Sequence, residues 1–258
     1  MSVVKLTPGG SKYGLHFWST AGECPRKFQY KQMLLDTEPS WSPPGTEDKP
    51  NALMIGTLYH AYHEHGILSS PYTFDYGVDT QYTHEENEAW RLASFYKTQY
   101  PDWRVPQMKE FDLRLDVNWL SLPLTGRIDA LVRIDGFIDG CSHRFEKGLY
   151  VWDYKTASAY NKWFVEEYRL QVEDYCWKWN LLNPNDPVLG GVLDNVIKTK
   201  TPKAERHYVP GPTAMRCNDL KSMYMHFDQQ RKNTTKNLTA CKGTYSMCSF
   251  KSVCDQEE

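Results

Sequence analysis

The spacing of apolar and polar positions predicts a chain rich in helices at both ends. Asn51 is a suitable cap for one amphipathic segment, and Thr83 with Glu86 forms a capping box that opens another. The predicted helices lie at about 16–35 (broken at Pro25), 51–70, 84–99, 161–182 and 212–233. The segment 37–50, rich in Pro, Gly and charge, predicts a loop.

Strand patterns occupy the middle of the chain. Alternating or continuous apolar runs predict strands at about 109–118, 122–135, 148–156, 188–200 and 205–210. The polar, Gly-containing segment 135–148 suits a hairpin connection. The order of helices, three strands, a helix and further strands predicts a mixed α/β plan.

Length and composition narrow the protein class. A chain of 258 residues predicts either one large domain or a core with an appended subdomain, and it is long enough to bury a sizeable core. The net charge of −2 does not indicate a basic partner-binding surface. The first residues lack the apolar core of a signal peptide, and no run is long enough to cross a membrane. We therefore expect a cytoplasmic protein, in a prokaryotic or phage-infected cell, whose cysteines are buried thiols or metal ligands.

The stretch YVWDYKTAS, residues 150–158, places an acid and a base on one face of a strand. Side chains alternate across a strand, so Asp153 and Lys155 point the same way. Alone, this pattern is typical of an ion pair at a sheet edge. The preceding strand, however, carries Asp129 on the face opposite to four apolar residues. Adjacent strands can thus present Asp129 and Asp153 to one point.

Two carboxylates that converge beside an apolar sheet repel each other unless a cation neutralises them. Oxygen ligands of this kind suit Mg²⁺ or Mn²⁺. Beside that cation, Lys155 could orient or deprotonate a water molecule, or stabilise the charge of a transition state. A metal-bound water with a cation near the phosphate is the minimum equipment for phosphodiester hydrolysis.

Two helices carry further candidates. Gly56 and His60 are four residues apart on one helix face, where glycine permits a close approach and the imidazole can bind the metal. His63 and His65 are expected on other faces of that helix. Gln171 and Tyr175 are also four apart, on an aromatic stripe where a buried Gln needs partners.

Four short motifs follow one another along the chain. They are G-x-x-x-H (Gly56 to His60), G-x-x-D (Gly126 to Asp129), D-x-K-T (Asp153 to Thr156) and Q-x-x-x-Y (Gln171 to Tyr175). Together they resemble the RecB-type branch of the PD-(D/E)XK nuclease superfamily. The resemblance implies a restriction-endonuclease-like αβββαβ core with a mixed sheet, over about 51–210 of a single nuclease domain, 1–258. The Pro of the family name is replaced by Ile128, which the RecB-type branch tolerates.

The resemblance also implies roles for individual residues. It implies that Mg²⁺ or Mn²⁺ is held by His60, Asp129, Asp153 and the backbone carbonyl of Tyr154. Lys155 would be the catalytic lysine, and Gln171 and Tyr175 would position DNA or the active site. Glu110, in the first strand of the core, would correspond to an auxiliary acid.

Four cysteines suggest a second metal centre. Cys24 lies in an early helix, and Cys241, Cys248 and Cys254 follow the core. Four thiolates fit either a tetrahedral Zn²⁺ or a [4Fe–4S] cluster. The pattern resembles the iron–sulfur exonucleases, among them the AddB nuclease domain and the CRISPR-associated RecB-like exonucleases, and so implies a cluster.

That cluster region would be formed by about 16–36 together with 213–258. The first pair of the cysteine trio is farther apart than is usual in the family, which keeps a structural zinc, or a partly occupied cluster, as alternatives. The remaining cysteines, Cys141, Cys176 and Cys217, fit no such pattern and are expected to be ordinary thiols.

These features favour a metal-dependent DNA exonuclease that acts on single strands or DNA ends, in recombination, repair, phage DNA processing or CRISPR adaptation. One alternative is an RNA endonuclease with the same metal site. Another is a catalytically silent scaffold that holds DNA ends. The expected partners are DNA, a recombination, helicase or integrase protein, and a second copy of the chain, with no membrane.

Overall fold

A computed structural model describes residues 3–5, 14–37, 51–66, 73–75, 83–101, 108–159 and 161–232. The elements are β1 (Val3–Lys5), α1 (Leu15–Glu23), α2 (Pro25–Thr37), α3 (Asn51–His65), β2 (Thr73–Asp75), α4 (Thr83–Gln99), β3 (Met108–Leu115), β4 (Leu124–Ile138), β5 (Cys141–Ala157), α5 (Phe164–Leu182), β6 (Val188–Ile197), β7 (Lys203–Pro210) and α6 (Ala214–Gln230).

A five-stranded sheet in the order β3-β4-β5-β6-β7 organises the middle of the chain. Strand β5 pairs antiparallel with β4 and parallel with β6, and β6 pairs antiparallel with β7. Helix α5 is the crossover that the parallel β5–β6 pair requires. The predicted mixed α/β plan is therefore confirmed. A short parallel pair, β1 with β2, was not predicted.

Residues 149–154 of β5 are buried on both sides, which explains the continuous apolar run in that part of the strand. Tyr150 and Trp152 pack into a cluster with α3 and α4, while Leu149 and Val151 pack into a second cluster with α5. A strand covered on both faces cannot alternate between apolar and polar residues.

Element boundaries differ from the predicted ones at the hairpin and at two helices. The segment 135–148 is mostly strand, because β4 runs to Ile138 and β5 starts at Cys141. The turn between them uses Gly140 at φ +76°, a conformation that favours glycine. Helix α3 ends at His65, before Gly66 at φ +90°. Helix α5 begins at Phe164, and the side chain of Asn161 in the turn before it accepts the backbone N–H of Trp163.

The chain divides into two units. The first comprises Met1–Gly9, Pro50–Leu113 and Arg127–Pro212, and contains most of the sheet with α3, α4 and α5. The second comprises Gly10–Lys49, Arg114–Gly126 and Thr213–Glu258, and contains α1, α2 and α6.

The second unit has an aromatic core of its own. Trp18 of α1 lies 6.2 Å from Phe28 of α2 and 5.8 Å, edge-on, from Tyr224 of α6, measured between ring centroids. All three side chains are fully buried. No helix within the described residues is both long and apolar enough to span a membrane.

Candidate active site

The candidate residues meet where β4 and β5 run side by side near the carboxyl end of β5. Ala130 pairs with Trp152, and Asp129 and Asp153 each lie one residue beyond that pair. Both carboxylates belong to the first unit, as does α3, where Gly56 approaches the strand closely. A Cβ on Gly56 would lie 3.3 Å from Oγ1 of Thr156, so glycine lets α3 sit against β5.

Asp129 makes contacts with both helix α3 and strand β5. Its Oδ2 lies 3.5 Å from Nδ1 of His60 and accepts the backbone N–H of Tyr154 at 2.8 Å. Burial raises the pKa of Asp129, but His60, Lys155 and the Tyr154 N–H outweigh it, so the net shift is downward. The pKa of His60 is raised in turn, because Asp129 outweighs the effect of burial. This part of the predicted site is assembled.

Asp153 and Lys155 form a close ion pair, with 2.5 Å between Oδ2 and Nζ. The Asp153 side chain is 1% exposed and that of Lys155 is 17% exposed. Burial, with Asp129 nearby, raises the pKa of Asp153 despite the lysine. Burial lowers the pKa of Lys155, but Asp153 and Asp129 raise it by more. The net shift is upward, so the ammonium form is favoured. Its Nζ also lies 5.1 Å from the ring centroid of Tyr168 on α5.

Gln171 and Tyr175 lie together on α5, as their spacing predicted. Nε2 of Gln171 donates to the Tyr175 hydroxyl at 2.8 Å. Burial raises the pKa of Tyr175 well above its ordinary value, and the next contributions come from Asp153 and Asp129. The pair therefore lies within the electrostatic reach of both carboxylates.

Glu110 stands in β3 with an uncommon backbone conformation, φ +42°. Its Oε2 lies 3.5 Å from Nη1 of Arg127. Burial raises its pKa, and Glu64 and Asp129 raise it further, against the effect of Arg127. Glu110 thus lies near two other acids and forms an ion pair with Arg127, a residue that the sequence patterns did not mark.

His63 was expected on another face of α3, but it is buried behind the site. Its ring stacks on Tyr154 at 4.0 Å and 21°, with Tyr59 and Tyr96 edge-on at 4.6 and 4.7 Å. Burial lowers the pKa of His63 well below its ordinary value, so the ring is neutral. His63 therefore packs against the ring of Tyr154, the residue that follows Asp153 and whose backbone N–H binds Asp129. His65 is exposed.

A second buried network lies beside the site on β6 and β7. Oδ2 of Asp194, the register partner of Tyr154, accepts from the Tyr96 hydroxyl, from Nε1 of Trp152 and from Nε of Arg206. The Arg206 guanidinium lies 3.6 Å from the ring centroid of Tyr100. No sequence pattern marked this network, because its members come from separate elements.

The donor set suits a divalent cation by its chemistry, since it combines one imidazole with two carboxylates. Within the described ranges, no three His, Cys, Asp or Glu side chains are grouped as a metal site. In this arrangement Lys155 and His60 compensate the two carboxylates directly. A cation of higher charge would compete for the same oxygens.

The predicted cysteine site is described only in part. Cys24 is buried at the extended residue between α1 and α2, in the second unit. Cys241, Cys248 and Cys254 lie outside the described residues. Cys176 is buried in α5, as predicted, and Cys141 and Cys217 are partly exposed.

Comparison with known proteins agrees with this fold. A solved structure of a candidate exonuclease from Eubacterium rectale superposes with a TM-score of 0.56 at 11% identity, over 95% of this chain and 88% of that one. The structure of SSO0001 covers 96% of this chain and 88% of its own at 13% identity, with a TM-score of only 0.44. No curated protein matches the sequence.

The family comparison covers most of the chain. The model of the PD-(D/E)XK nuclease superfamily matches residues 18–255, a span that includes every candidate residue of the site. The chain therefore belongs to the PD-(D/E)XK nuclease superfamily.

Proposed function

We propose that this nuclease is a divalent-metal-dependent DNA exonuclease that hydrolyses phosphodiester bonds of single strands or DNA ends. The observation that carries the proposal is the convergence of Asp129 and Asp153 beside Lys155 and His60. Two buried carboxylates that converge repel each other, and a divalent cation bound by both would offset that repulsion more fully than the singly charged Lys155 and His60 do.

His60, Asp129 and Asp153, with the carbonyl of Tyr154, would hold Mg²⁺ or Mn²⁺. When bound, such an ion lowers the pKa of a coordinated water and polarises the phosphate. The chain's own groups supply the geometry. His63 stacks on the Tyr154 ring, and the Tyr154 N–H fixes one oxygen of Asp129. The Asp129 carboxylate and the Tyr154 residue are therefore held in place by contacts within the protein.

Lys155 acts as a fixed positive charge. Asp153 anchors its ammonium and Tyr168 lies against it, so the group is positioned to stabilise charge on the phosphate oxygens during hydrolysis. Gln171 and Tyr175 line the α5 side and orient substrate there. Glu110 serves as an auxiliary acid, set by Arg127.

The start of α5 favours a substrate with unstacked bases. Trp163 is 63% exposed, and Nζ of Lys162 lies 5.1 Å from its ring centroid. An exposed indole with an adjacent cation can stack a base and attract the backbone phosphate. Tyr168, which contacts Lys155, follows roughly 8 Å further along the same helix.

The test is cleavage of 5′- and 3′-labelled DNA, single- and double-stranded, with Mn²⁺, and of RNA of the same sequence. Wild type should release short products from single-stranded DNA. Asp153→Asn and Lys155→Met should both lose cleavage, and Asp116→Asn, an exposed acid in the same chain, should retain it. Mn²⁺ binding followed by calorimetry should fall in Asp153→Asn and persist in Lys155→Met, because an ammonium is not a ligand.

Each alternative has its own signature. Cleavage of RNA in preference to DNA would indicate the RNA endonuclease. A folded protein that binds DNA ends but cleaves nothing would indicate the scaffold. Normal rates in Asp153→Asn would overturn the assignment of the site.

The same proposal includes a [4Fe–4S] cluster on Cys24, Cys241, Cys248 and Cys254. It is supported by the burial of Cys24 between α1 and α2, in the unit that also contains α6, after which the cysteine trio follows in the sequence. Protein purified without oxygen should be brown and contain iron and sulfide in similar amounts. Cys24→Ala should be colourless, whereas Cys217→Ala should keep its colour. Zinc without sulfide would replace the cluster by a structural zinc site.

A further inference from the structure

Asn195 is a buried amide in β6, a strand that has neighbours on both sides, β5 and β7. The residue is 3% exposed. Its Oδ1 is enclosed, and it accepts no hydrogen bond from any part of the chain that the structure describes. A buried acceptor without a donor costs stability, so such an atom in a folded protein calls for an explanation in function.

The register of the sheet places Asn195 directly beside Lys155, its partner in the parallel pair of β5 and β6. Neighbouring strands lie about 4.8 Å apart, and paired residues project from the same face of the sheet. Helix α5 covers this face. A Cβ on Gly191, four residues before Asn195, would lie 2.4 Å from Cγ1 of Val172, and Nζ of Lys155 lies 5.1 Å from the ring centroid of Tyr168. The amide and the lysine therefore share one side of the sheet.

Lys155 has a donor set that can serve more than one acceptor. Its ammonium carries three N–H groups on a flexible four-carbon stem. In the structure Nζ is 2.5 Å from Oδ2 of Asp153, two residues back along the same strand. A rotation of the stem would carry Nζ from that carboxylate towards the neighbouring strand, where Asn195 stands abreast of the lysine.

Asp153 has two competing uses. In the structure it pairs with the ammonium of Lys155, and in the proposed function it is a ligand of a divalent ion. When Asp153 serves the metal, the buried ammonium needs another acceptor, because an unpaired buried charge is costly. The amide oxygen of Asn195 is neutral, so it can hold the ammonium without cancelling its charge. The lysine would then present its full positive charge to a phosphate.

We propose that Asn195 is a positioning residue whose Oδ1 accepts the ammonium of Lys155 when Asp153 binds the metal. The inference rests on the proposed function for the role of Asp153. It assigns Asn195 to holding the lysine, and not to binding the metal or the substrate.

The first test is a double-mutant cycle of thermal unfolding in EDTA, where no metal takes part. Asp153→Ala removes the present acceptor of the lysine and Asn195→Val removes the proposed one. Packing changes caused by the valine are the same in both backgrounds, so the difference between them reports on Lys155. Asn195→Val should lower Tm by roughly 4 °C more in Asp153→Ala than in wild type.

The matched control is Val196→Ala, a buried position on the opposite face of β6, which should change Tm equally in both backgrounds. An equal effect of Asn195→Val in the two backgrounds would overturn the proposal, because the displaced ammonium would then be held by Asp129 or by water.

The second test is Mn²⁺ binding followed by calorimetry without nucleic acid. Asn195→Val should weaken binding roughly tenfold, because the lysine displaced from Asp153 has lost its acceptor. In a Lys155→Met background the same substitution should leave Kd unchanged. An equal loss in that background would make Asn195 a ligand or a packing residue and would overturn the proposal. If the variant that combines Asp153→Ala with Asn195→Val does not fold, this measurement decides.

Failure of this inference is distinguishable from failure of the proposed function. A wild type that cleaves no DNA would refute the nuclease reaction, whereas the cycle in EDTA would still decide whether Asn195 accepts the ammonium of Lys155. In the active enzyme, Asn195→Val should lower kcat at least roughly tenfold with KM unchanged, because the lysine is misplaced for stabilising charge on the phosphate. An unchanged kcat would overturn the positioning role.

Discussion

Two substitutions of His63 distinguish the stabilisation that its ring contributes by packing from the free-energy cost of burying its Nε2 without a hydrogen bond. The ring is in contact with three tyrosines behind the candidate active site, and the residue is 7% exposed. Its Nε2 has no hydrogen-bond partner among the described residues. His63→Phe keeps an aromatic ring and removes the nitrogen, whereas His63→Ala removes both.

The two substitutions are expected to change the free energy of unfolding in opposite directions. A buried polar atom without a partner costs about 1–3 kcal/mol, so Phe should stabilise the fold by about 1 kcal/mol after some loss to its larger volume. Ala leaves a cavity where the stack on Tyr154 was, at a cost of about 3 kcal/mol. For a chain of this size, 1 kcal/mol corresponds to a change in Tm of roughly 2–4 °C.

Thermal unfolding of the purified variants measures both effects. Phe should raise Tm by roughly 2 °C and Ala should lower it by at least roughly 6 °C. His65→Ala, an exposed position on the same helix, is the control and should leave Tm unchanged. Cleavage should survive His63→Phe and be lost in His60→Ala. A fall in Tm with Phe as large as that with Ala would show that Nε2 makes a stabilising bond, and would refute the reasoning.

Three further predictions concern other parts of the chain. Trp163→Ala should raise KM for single-stranded DNA roughly tenfold with little change in kcat, because base stacking contributes about 1–3 kcal/mol; an unchanged KM would remove the indole from the substrate path. Arg206→Met should destabilise the protein by about 3–5 kcal/mol in urea unfolding, because it leaves the buried Asp194 uncompensated, and adding Asp194→Asn should recover part of that loss. Burial raises the pKa of Asp228, but hydrogen bonds from Ser121 and Arg231 lower it overall. The ionised Asp228 therefore stabilises the fold fully above its unfolded pKa of about 3.9, and this stabilisation is lost as the pH falls through the lower folded pKa. Asp228→Asn should flatten the decline of the free energy of unfolding below about pH 4, and an unchanged acid profile would contradict this.

The core of the site was predictable because its signals are local. The acid and base of β5 stand two residues apart at the end of an apolar run, and alternation alone places them on one face. The pair Gln171 and Tyr175 follows equally from helical spacing, and the two side chains are hydrogen-bonded. Such patterns depend on a few neighbouring residues, so a single sequence is enough to find them.

What could not be predicted depends on contacts between distant elements. His63 is three residues from His60, yet its burial depends on where α4 and β5 lie, which the helix does not encode. Arg206 is one of many charged residues by composition, and only the fold brings Asp194 and two aromatic elements around it. Strands β4 and β5 extend into the segment that was predicted to connect them, because paired strands tolerate polar residues that face solvent.

The composition of the second unit sets the order in which the protein can be completed during synthesis. Its apolar partners Trp18 and Tyr224 are encoded at opposite ends of the described chain, with the whole sheet between them. At about 5–20 residues per second, α6 leaves the ribosome roughly ten to forty seconds after α1. During that interval the buried face of the first helices has no permanent partner, so nascent chains halted before α6 should depend on chaperones and should be degraded or aggregate when released.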